Sequence, residues 1–264
     1  MFTRIFTTLT LLSLVALQGC AWRAPNVPID KLHTLVVLSA SAEQHLHDLG
    51  EGERLPIGSY QQFLHHDGSP NSSAIAAVKP DMIYLPQHLK GQQANLETIA
   101  PVAMASQFGN HKHNPLRQEY MALATLTHNL PSALRTWQKL KKPLQQVHKQ
   151  LANYPDVLLV FAGDDGFYVH NGSAAGQVLQ QVFAADLVDR HLSPERKPLD
   201  AEYLHLVRPQ TVFVVAQNPP PALPQVNGSS WQVLLLPAEL WAQPVLTTAH
   251  MPKLSEQLLK LLQR

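Results

Sequence analysis

Aromatic and neutral polar side chains stand directly after several strand-like segments of this sequence. Tyr84 and His88 follow one apolar run, Gln217 follows another, and Trp241 follows the last. Ligands of α/β proteins bind at the carboxyl ends of parallel strands, so these positions are candidates for a binding site. With the polar turn before Gly172, the set is Tyr84, His88, Tyr168, His170, Asn171, Gln217 and Trp241. Aromatic faces beside neutral hydrogen-bonding groups suit a ligand that is large, planar or weakly charged.

Histidine is abundant, with 14 His in the chain, and imidazole is a common ligand of zinc and of haem iron. His45 and His47 are two positions apart on a predicted helix and point in different directions, which disfavours a shared ion. The pairs within residues 65–66 and 111–113 fall in predicted loops that could line a cleft. No third and fourth ligand accompanies them at a telling spacing, so ordinary loop residues are the favoured interpretation.

Motifs of catalysis are missing from the sequence. The turn Gly172-Ser-Ala-Ala-Gly176 is not a nucleophile elbow, and no Walker loop or dinucleotide-binding glycine loop occurs. Asp164-Asp165-Gly166 is typical of a turn rather than of a carboxylate pair. We therefore predict a binding protein without a cofactor rather than an enzyme.

The composition is that of a folded, nearly neutral protein. The 264 residues are 45% hydrophobic and 15% charged, with a formal net charge of +1. This balance excludes a disordered charged chain, and the lack of a basic tract argues against a nucleic-acid partner. The length is enough for one large domain or for two lobes of about 110 residues each.

The first 19 residues are typical of an export signal. Arg4 precedes an apolar stretch that is too short to span a bilayer comfortably. The sequence Leu17-Gln-Gly-Cys20 then matches a bacterial lipobox, and Cys20 is the only cysteine of the chain. We expect cleavage before Cys20 and its lipidation, which would anchor the protein to a membrane in the periplasm or at the cell surface. An ordinary cleaved signal or a weak membrane helix is the alternative.

The rest of the chain alternates strand-like and helix-like segments. After a tether at residues 20–30, the order of apolar runs and amphipathic stretches predicts a βαβα arrangement over residues 31–128. Residues 129–154 have apolar side chains spaced three or four apart, which predicts one long linking helix. Strand-like segments resume in residues 155–264. The sequence thus predicts an α/β fold of two lobes with a ligand cleft between them.

The order and spacing of four segments resemble those of the class III periplasmic binding proteins, and most closely the lipoproteins that bind catecholate siderophores. The four segments are Leu35 to Gly50, Ala74 to Ile83, Leu96 to Val102, and Leu199 to Val215. This resemblance covers about residues 31–262 and implies two Rossmann-like lobes joined by a single long α-helix. It also implies a role in ABC importers of ferric siderophores, haem or cobalamin, with a permease and ATPase complex as partner.

Three positions differ from the arginine triad that faces the cleft in the catecholate binders. The motifs place His88, Ala174 and Gln217 where the resemblance implies arginine. Because arginine neutralises a trianionic ferric catecholate, its replacement favours a less anionic ligand. A hydroxamate or mixed siderophore fits this expectation, and so does haem with His88, His170 or a tyrosine as axial ligand.

The resemblance also implies one docking carboxylate on the surface of each lobe. Glu202 occupies the position in the second lobe, whereas Ser73 occupies the position in the first, near Asp67. Such carboxylates steer a binding protein onto arginines of its permease.

Together these features predict a lipid-anchored, monomeric binding protein that captures a ferric siderophore or haem for an ABC importer. Two alternatives stay open. A divergent surface lipoprotein without a transport role would also explain the lost charges, and the histidines leave room for a zinc-binding protein.

Overall fold

The computed structural model describes residues 32–108, 114–188, 195–217, 223 and 231–263. The export signal, Cys20, the tether and the pair His111/His113 lie outside the described residues. Within the described ranges, every helix is too short or too polar to cross a bilayer.

The first lobe is built on a small parallel sheet. Its strands are β1 (Leu35–Val37), β2 (Met82–Tyr84) and β3 (Val102–Ala103), in the order β1-β2-β3. Val36 pairs with Ile83, which in turn pairs with Val102. These residues are buried because helices cover both faces of a parallel sheet, and this explains their continuous apolar runs.

Three helices of the first lobe begin or end where the sequence signals a boundary. Helix α1 (Ala40–Asp48) begins after Ser39, whose hydroxyl accepts a hydrogen bond from the Ala42 N–H, as an N-cap residue does. Helix α2 (Ser72–Ala77) begins after Asn71, which caps it in the same way. Helix α3 (Gln93–Leu96) is followed by turns up to Ala100. Pro101 disfavours helical geometry in Ala100, so the helix does not extend to β3.

Two consecutive helices follow the first sheet. Helix α4 (Pro115–Leu126) comes first, and helix α5 (Leu130–Leu151) lies within residues 129–154, where the sequence predicted one long helix. The apolar stripe of α5, including Trp137 and Leu140, is buried in the core of the second lobe. Helix α5 continues through Pro143.

The second lobe contains a mixed sheet. Its strands are β4 (Val157–Gly163), β5 (Gly166–Val169), β6 (Lys197–Pro198), β7 (Thr211–Ala216) and β8 (Gln232–Pro237), in the order β6-β5-β4-β7-β8. Strands β4, β7 and β8 are parallel, as the sequence predicted. Strands β5 and β6 add an antiparallel edge, which the sequence analysis did not predict. The hairpin turns at Asp164-Asp165-Gly166, where Gly166 has a φ of +124°.

The helices of the second lobe cover this mixed sheet. They are α6 (Ala174–Gln177) with a π-helical continuation (Val178–Val182), α7 (Ala201–Val207), α8 (Ala238–Trp241) and α9 (Met251–Leu262). Helix α9 packs against α5, and both contribute to one large core. The fold is therefore the two-lobed α/β arrangement that the sequence predicted.

A buried histidine lies where α1 of the first lobe meets the second lobe. His45 is fully buried, and its ring lies 5.3 Å from that of Tyr120 on α4. Neither of its ring nitrogens has a hydrogen-bond partner among the described residues. Burial lowers the pKa of His45 from 6.5 to about 4, with Asp48 acting in the opposite direction and His250 in the same direction.

We expect this histidine to make the protein sensitive to acid. The folded state keeps His45 neutral while the unfolded chain binds a proton near pH 6.5, so the free energy of unfolding should fall between about pH 6.5 and pH 4. The full effect is about 3 kcal/mol. His45→Leu should flatten this part of the profile, whereas His47→Leu, at an exposed position of the same helix, should retain it. Urea titrations at several pH values measure the difference, and equal slopes in the wild type and His45→Leu would contradict the assignment.

Candidate functional site

The first lobe places one exposed candidate beyond its strands. His88 lies in a 3-10 turn (Gln87–Gln92) that follows β2, and its side chain is exposed. Tyr84 is the last residue of β2 and is fully buried, with its ring in the core under α4. Of these two residues, only His88 presents its side chain to solvent, where a ligand could contact it.

The second lobe brings aromatic groups together at the end of β4. Tyr168 lies in β5 rather than in the predicted turn, and its ring stacks on Phe161 at 5.5 Å and 11°. The guanidinium of Arg196 lies 4.9 Å from the centre of the Tyr168 ring. His170 follows β5 with its ring 6.1 Å from that of Phe161. We call Phe161, Tyr168, His170 and Arg196 the aromatic cluster.

The turn beside the aromatic cluster has little freedom. Asn171 is buried, and the Ser173 hydroxyl caps α6 by accepting a hydrogen bond from the Gly176 N–H at 3.1 Å. A Cβ atom at Gly176 would lie 2.1 Å from the carbonyl oxygen of Asn171, so glycine is the residue that fits there. The Gln177 side chain donates to the carbonyl of Gly172 at 3.0 Å. This network explains the Gly-Ser-x-x-Gly spacing by packing and fixes the position of His170.

The last two candidates have contrasting environments. Gln217 follows β7 directly and is exposed. Since Phe161 of β4 pairs with Val215 of β7, Gln217 lies at the same end of the sheet as the aromatic cluster. Trp241 ends α8 and is fully buried, with its ring 6.4 Å from that of Phe183.

Tyr168, opposite Phe161, and Gln217, two residues after Val215, lie towards the carboxyl end of β4. His170 and Asn171 instead continue from β5 towards the amino end of β4, because β5 is antiparallel to β4. Among the described contacts, none joins these four residues to His88 of the first lobe. Tyr84 and Trp241 belong to the apolar cores of their lobes. Sequence reasoning missed Arg196, because the cation reaches Tyr168 through the pairing of β6 with β5 and no motif marks it.

Sequence reasoning also missed a polar cluster at the end of the first sheet. Glu119 of α4 is partly buried and accepts hydrogen bonds from the side chains of Ser39 and Ser41. Burial raises the pKa of Glu119, and the two serines act in the opposite direction. The nearby Tyr84 hydroxyl is buried without a hydrogen-bond partner among the described residues, and its pKa is raised by burial and then by Glu119. The one feature of the sequence that could have indicated this cluster is the carboxylate of Glu119 among the apolar residues of helix α4.

The docking candidates are both exposed. Glu202 lies in the first turn of α7, whose N-cap Asp200 accepts a hydrogen bond from the Tyr203 N–H at 2.7 Å. Ser73 lines an open depression of about 440 Å³ between α2 and α3. Asn95 and Thr98 line the opposite side of this depression.

The described part of the chain holds no group of three or more His, Cys, Asp or Glu side chains that could bind a metal ion. His45 is buried while His47 is exposed, so the two side chains of this pair lie in different environments. His65 and His66 are exposed in a loop, where the adjacent Asp67 accepts hydrogen bonds from Ser69.

Comparison with known proteins gives a family and a fold. The sequence matches a family model described as periplasmic binding protein over residues 40–248. A search of curated proteins finds no match.

Solved structures of binding proteins are similar along most of the chain. One is the siderophore-binding protein BauB in complex with acinetobactin and ferric iron, with a TM-score of 0.60, 17% identity, and coverage of 87% of this chain and 92% of BauB. SirA of Staphylococcus aureus has a TM-score of 0.57 and 15% identity, with coverage of 87% and 98%. The catecholate-siderophore-binding protein VctP of Vibrio cholerae has a TM-score of 0.55 and 14% identity, with coverage of 86% and 93%. At these identities the likeness establishes the fold.

The pKa of Glu119 leads to a testable expectation for stability. A carboxyl group with a raised pKa favours the folded state when protonated, and this contribution is lost as the pH rises through the folded-state pKa. Glu119→Gln keeps a neutral acceptor for Ser39 and Ser41, so we expect its melting temperature to exceed that of the wild type by a few degrees at pH 8. The gain should shrink towards pH 4. Thermal melts across this range measure it, with the exposed Glu53→Gln as control; a loss of stability at pH 8 in Glu119→Gln alone would contradict the interpretation.

Proposed function

The chain belongs to the periplasmic binding protein family, and we propose that it captures a ferric siderophore or a related iron complex for an ABC importer. Members of this family bind substrates, so the protein is a binding protein and not an enzyme. The proposed ligand lies between the lobes, against the carboxyl ends of both sheets. The protein acts as a monomer and needs no cofactor of its own.

The aromatic cluster is the observation that carries this proposal. The partly exposed ring of Tyr168 stacks with Phe161, and the guanidinium of Arg196 lies over the same ring. Aromatic faces and a guanidinium bind large planar groups by stacking and by cation–π contact. Gln217 adds a neutral hydrogen-bonding group directly after β7, and His170 adds an imidazole ring that lies 6.1 Å from the ring of Phe161. Such a surface suits an iron complex with an aromatic or hydroxamate periphery, or haem.

Arg196 modifies the expectation about ligand charge. The three positions matching the family's arginines carry none, yet the guanidinium of Arg196, the residue before β6, reaches the cluster. One cation balances a monoanionic complex better than a trianionic one, because each uncompensated charge taken from water into a cleft is costly. We therefore propose a ligand of low negative charge. BauB binds a complex of acinetobactin with ferric iron and VctP binds a catecholate siderophore, which supports a ferric siderophore as the ligand class.

Delivery requires a membrane and a permease. We propose that Cys20 carries the lipid anchor, which would keep the protein at the membrane. Glu202 docks through its exposed carboxylate, and Ser73 occupies the corresponding place on the first lobe without a charge. The depression beside Ser73 can accept a side chain of the permease. On the first lobe, this packing contact would take the place of the ion pair that a carboxylate would make.

Ligand binding can be measured on the soluble chain that starts after Cys20. We expect one of ferric hydroxamate siderophores, ferric catecholate siderophores, haem or cobalamin to quench the tryptophan fluorescence saturably. Tyr168→Ala and Gln217→Ala should each weaken binding of that ligand roughly tenfold, as loss of a stacking or hydrogen-bonding anchor does. His88→Ala tests the contribution of the first lobe, and His66→Ala, in an exposed loop, is the matched control.

Two outcomes would contradict the proposal. Saturable binding of Zn²⁺ alone, lost in His65 and His66 variants, would favour the zinc alternative. Absence of binding by the whole panel to a folded protein would favour a surface lipoprotein without a transport role.

A second experiment distinguishes docking onto the permease from binding of the ligand. Glu202→Lys reverses an exposed charge without touching the aromatic cluster, so we expect ligand affinity to stay unchanged while uptake by cells falls about tenfold or more. Glu256→Lys on α9 is a matched reversal at another exposed carboxylate. Equal uptake by the Glu202→Lys and Glu256→Lys variants would exclude a docking role for Glu202.

A further inference from the structure

The exposed face of α5 has an unusual charge distribution. This helix of 22 residues contains five Lys or Arg residues and no Asp or Glu. The whole chain has a formal net charge of +1, which leaves −4 for the rest of the chain once α5 is set aside. Positive charge is thus concentrated on one helix of an otherwise acidic protein.

The basic residues are ordered along the helix. Arg135, Lys139, Lys142 and Lys149 are spaced by three, four or seven positions, so they form one stripe along α5. All of them are exposed. The opposite stripe, which includes Trp137 and Val147, is buried in the core of the second lobe. A helix held by its apolar face therefore presents a basic stripe to the surroundings.

A cavity of about 190 Å³ opens beside this stripe. It lies where the first turn of α4, the middle of α5 and the π-helical segment meet. Its described lining includes Asn114, Arg117, Trp137, Lys141, Gln145 and His148, and no carboxylate. Lys141, Gln145 and His148 are spaced by four and three residues and so share one face of α5. The lining combines positive charge with amide donors.

Arg117 gives the cavity a positioned donor. Its guanidinium lies 5.5 Å from the centre of the Trp137 ring, which holds the guanidinium against a flat surface. Its Nε is buried and has no hydrogen-bond partner among the described residues. The backbone N–H of Arg117 donates to the Asn114 side chain at 3.0 Å, so the residue is also held by the cap of α4. A buried N–H donor without an acceptor in the protein is suited to an oxyanion.

The chemistry of this lining selects the ligand class. A planar guanidinium binds two oxygens of a phosphate at once, and Lys141 adds a point charge from the other side. The first turn of α4, a helix of 12 residues, adds partial positive charge. A cationic ligand finds no counter-charge in this lining, and Leu144 and Val182 add an apolar part beside Trp137. The candidates for the ligand-binding cleft are not part of this lining, so the cavity is distinct from the aromatic cluster.

We propose that this cavity binds the phosphate of an anionic phospholipid headgroup and that the basic stripe of α5 lies on the same membrane surface. A single dissolved phosphate would need the cavity alone. Four further cations in a row beside the cavity complement an extended sheet of negative charge, such as a bilayer with anionic lipids. The contact orients the binding protein on its membrane, which goes beyond the capture of a ligand.

The full chain in lipid nanodiscs tests this proposal. Discs of phosphatidylcholine alone are compared with discs in which part of the lipid is phosphatidylglycerol, and amide hydrogen exchange is followed in α4 and α5. We expect exchange in the first turn of α4 and along α5 to slow about fivefold in the anionic discs. Arg117→Gln and Lys141→Gln should abolish the difference. Lys90→Gln, which removes one exposed charge from the first lobe, should retain it.

Two further arms identify the source of the phosphate and guard against misfolding. Inorganic phosphate and glycerol 3-phosphate are added to the phosphatidylcholine discs; equal protection by these soluble anions would overturn the assignment to a headgroup. Lys141 is exposed, so its variant is expected to melt like the wild type even where loss of the Arg117 stack lowers stability. Exchange that does not depend on lipid charge in the wild type would overturn the proposal as a whole.

Discussion

The structure depends on one helix that belongs to two cores. Helix α4 buries residues in the core of each lobe, and no other described helix divides its buried residues so evenly between the clusters. Ala122, Leu123 and Leu126 pack in the first lobe, whereas Tyr120, Met121 and Ala124 pack in the second. A shift of either lobe along α4 would expose apolar area on the other side, and such exposure costs about 25 cal/mol per Å². The relative position of the two sheets is therefore fixed by packing as well as by chain connectivity.

Polar contacts close the same junction at a distance from the candidate site. The hydroxyl of Thr247 in the second lobe donates to the Asp48 carboxylate of α1 at 2.6 Å, and the Asn129 amide donates to Glu51. With His45 buried beside them, these contacts join the two lobes at this part of the junction. Because both lobes are held in this way, the side chains at the strand ends, rather than a large closure, must distinguish one ligand from another.

The sequence predicted the parts of the fold that local patterns encode. The strands β1, β2, β4, β7 and β8 are apolar runs, and the stripe of α5 has helical spacing, so local patterns predicted the alternation of strands and helices and the long helix within residues 129–154. The hairpin edge of β5 and β6 was not predicted, because Tyr168 pairs with Pro198, 30 positions away, and no local pattern encodes this pairing. The burial of Tyr84 and Trp241 and the approach of Arg196 and Glu119 also arise from tertiary packing. The family resemblance was confirmed, while the roles of individual site residues stay predictions.

Charged side chains are distributed differently at the strand ends and on α5. At the strand ends of the second lobe, the described cation over the aromatic cluster is Arg196, and at those of the first lobe the partly buried carboxyl group is that of Glu119. On α5 the cations instead form a stripe on a face directed away from the core. Electrostatic attraction to a strongly anionic partner is therefore available on α5 and weak at the strand ends. Selection of a ligand at the strand ends must then rest on stacking and hydrogen bonds, whose strength depends on shape and persists at high salt, whereas contacts of α5 should weaken as salt screens them.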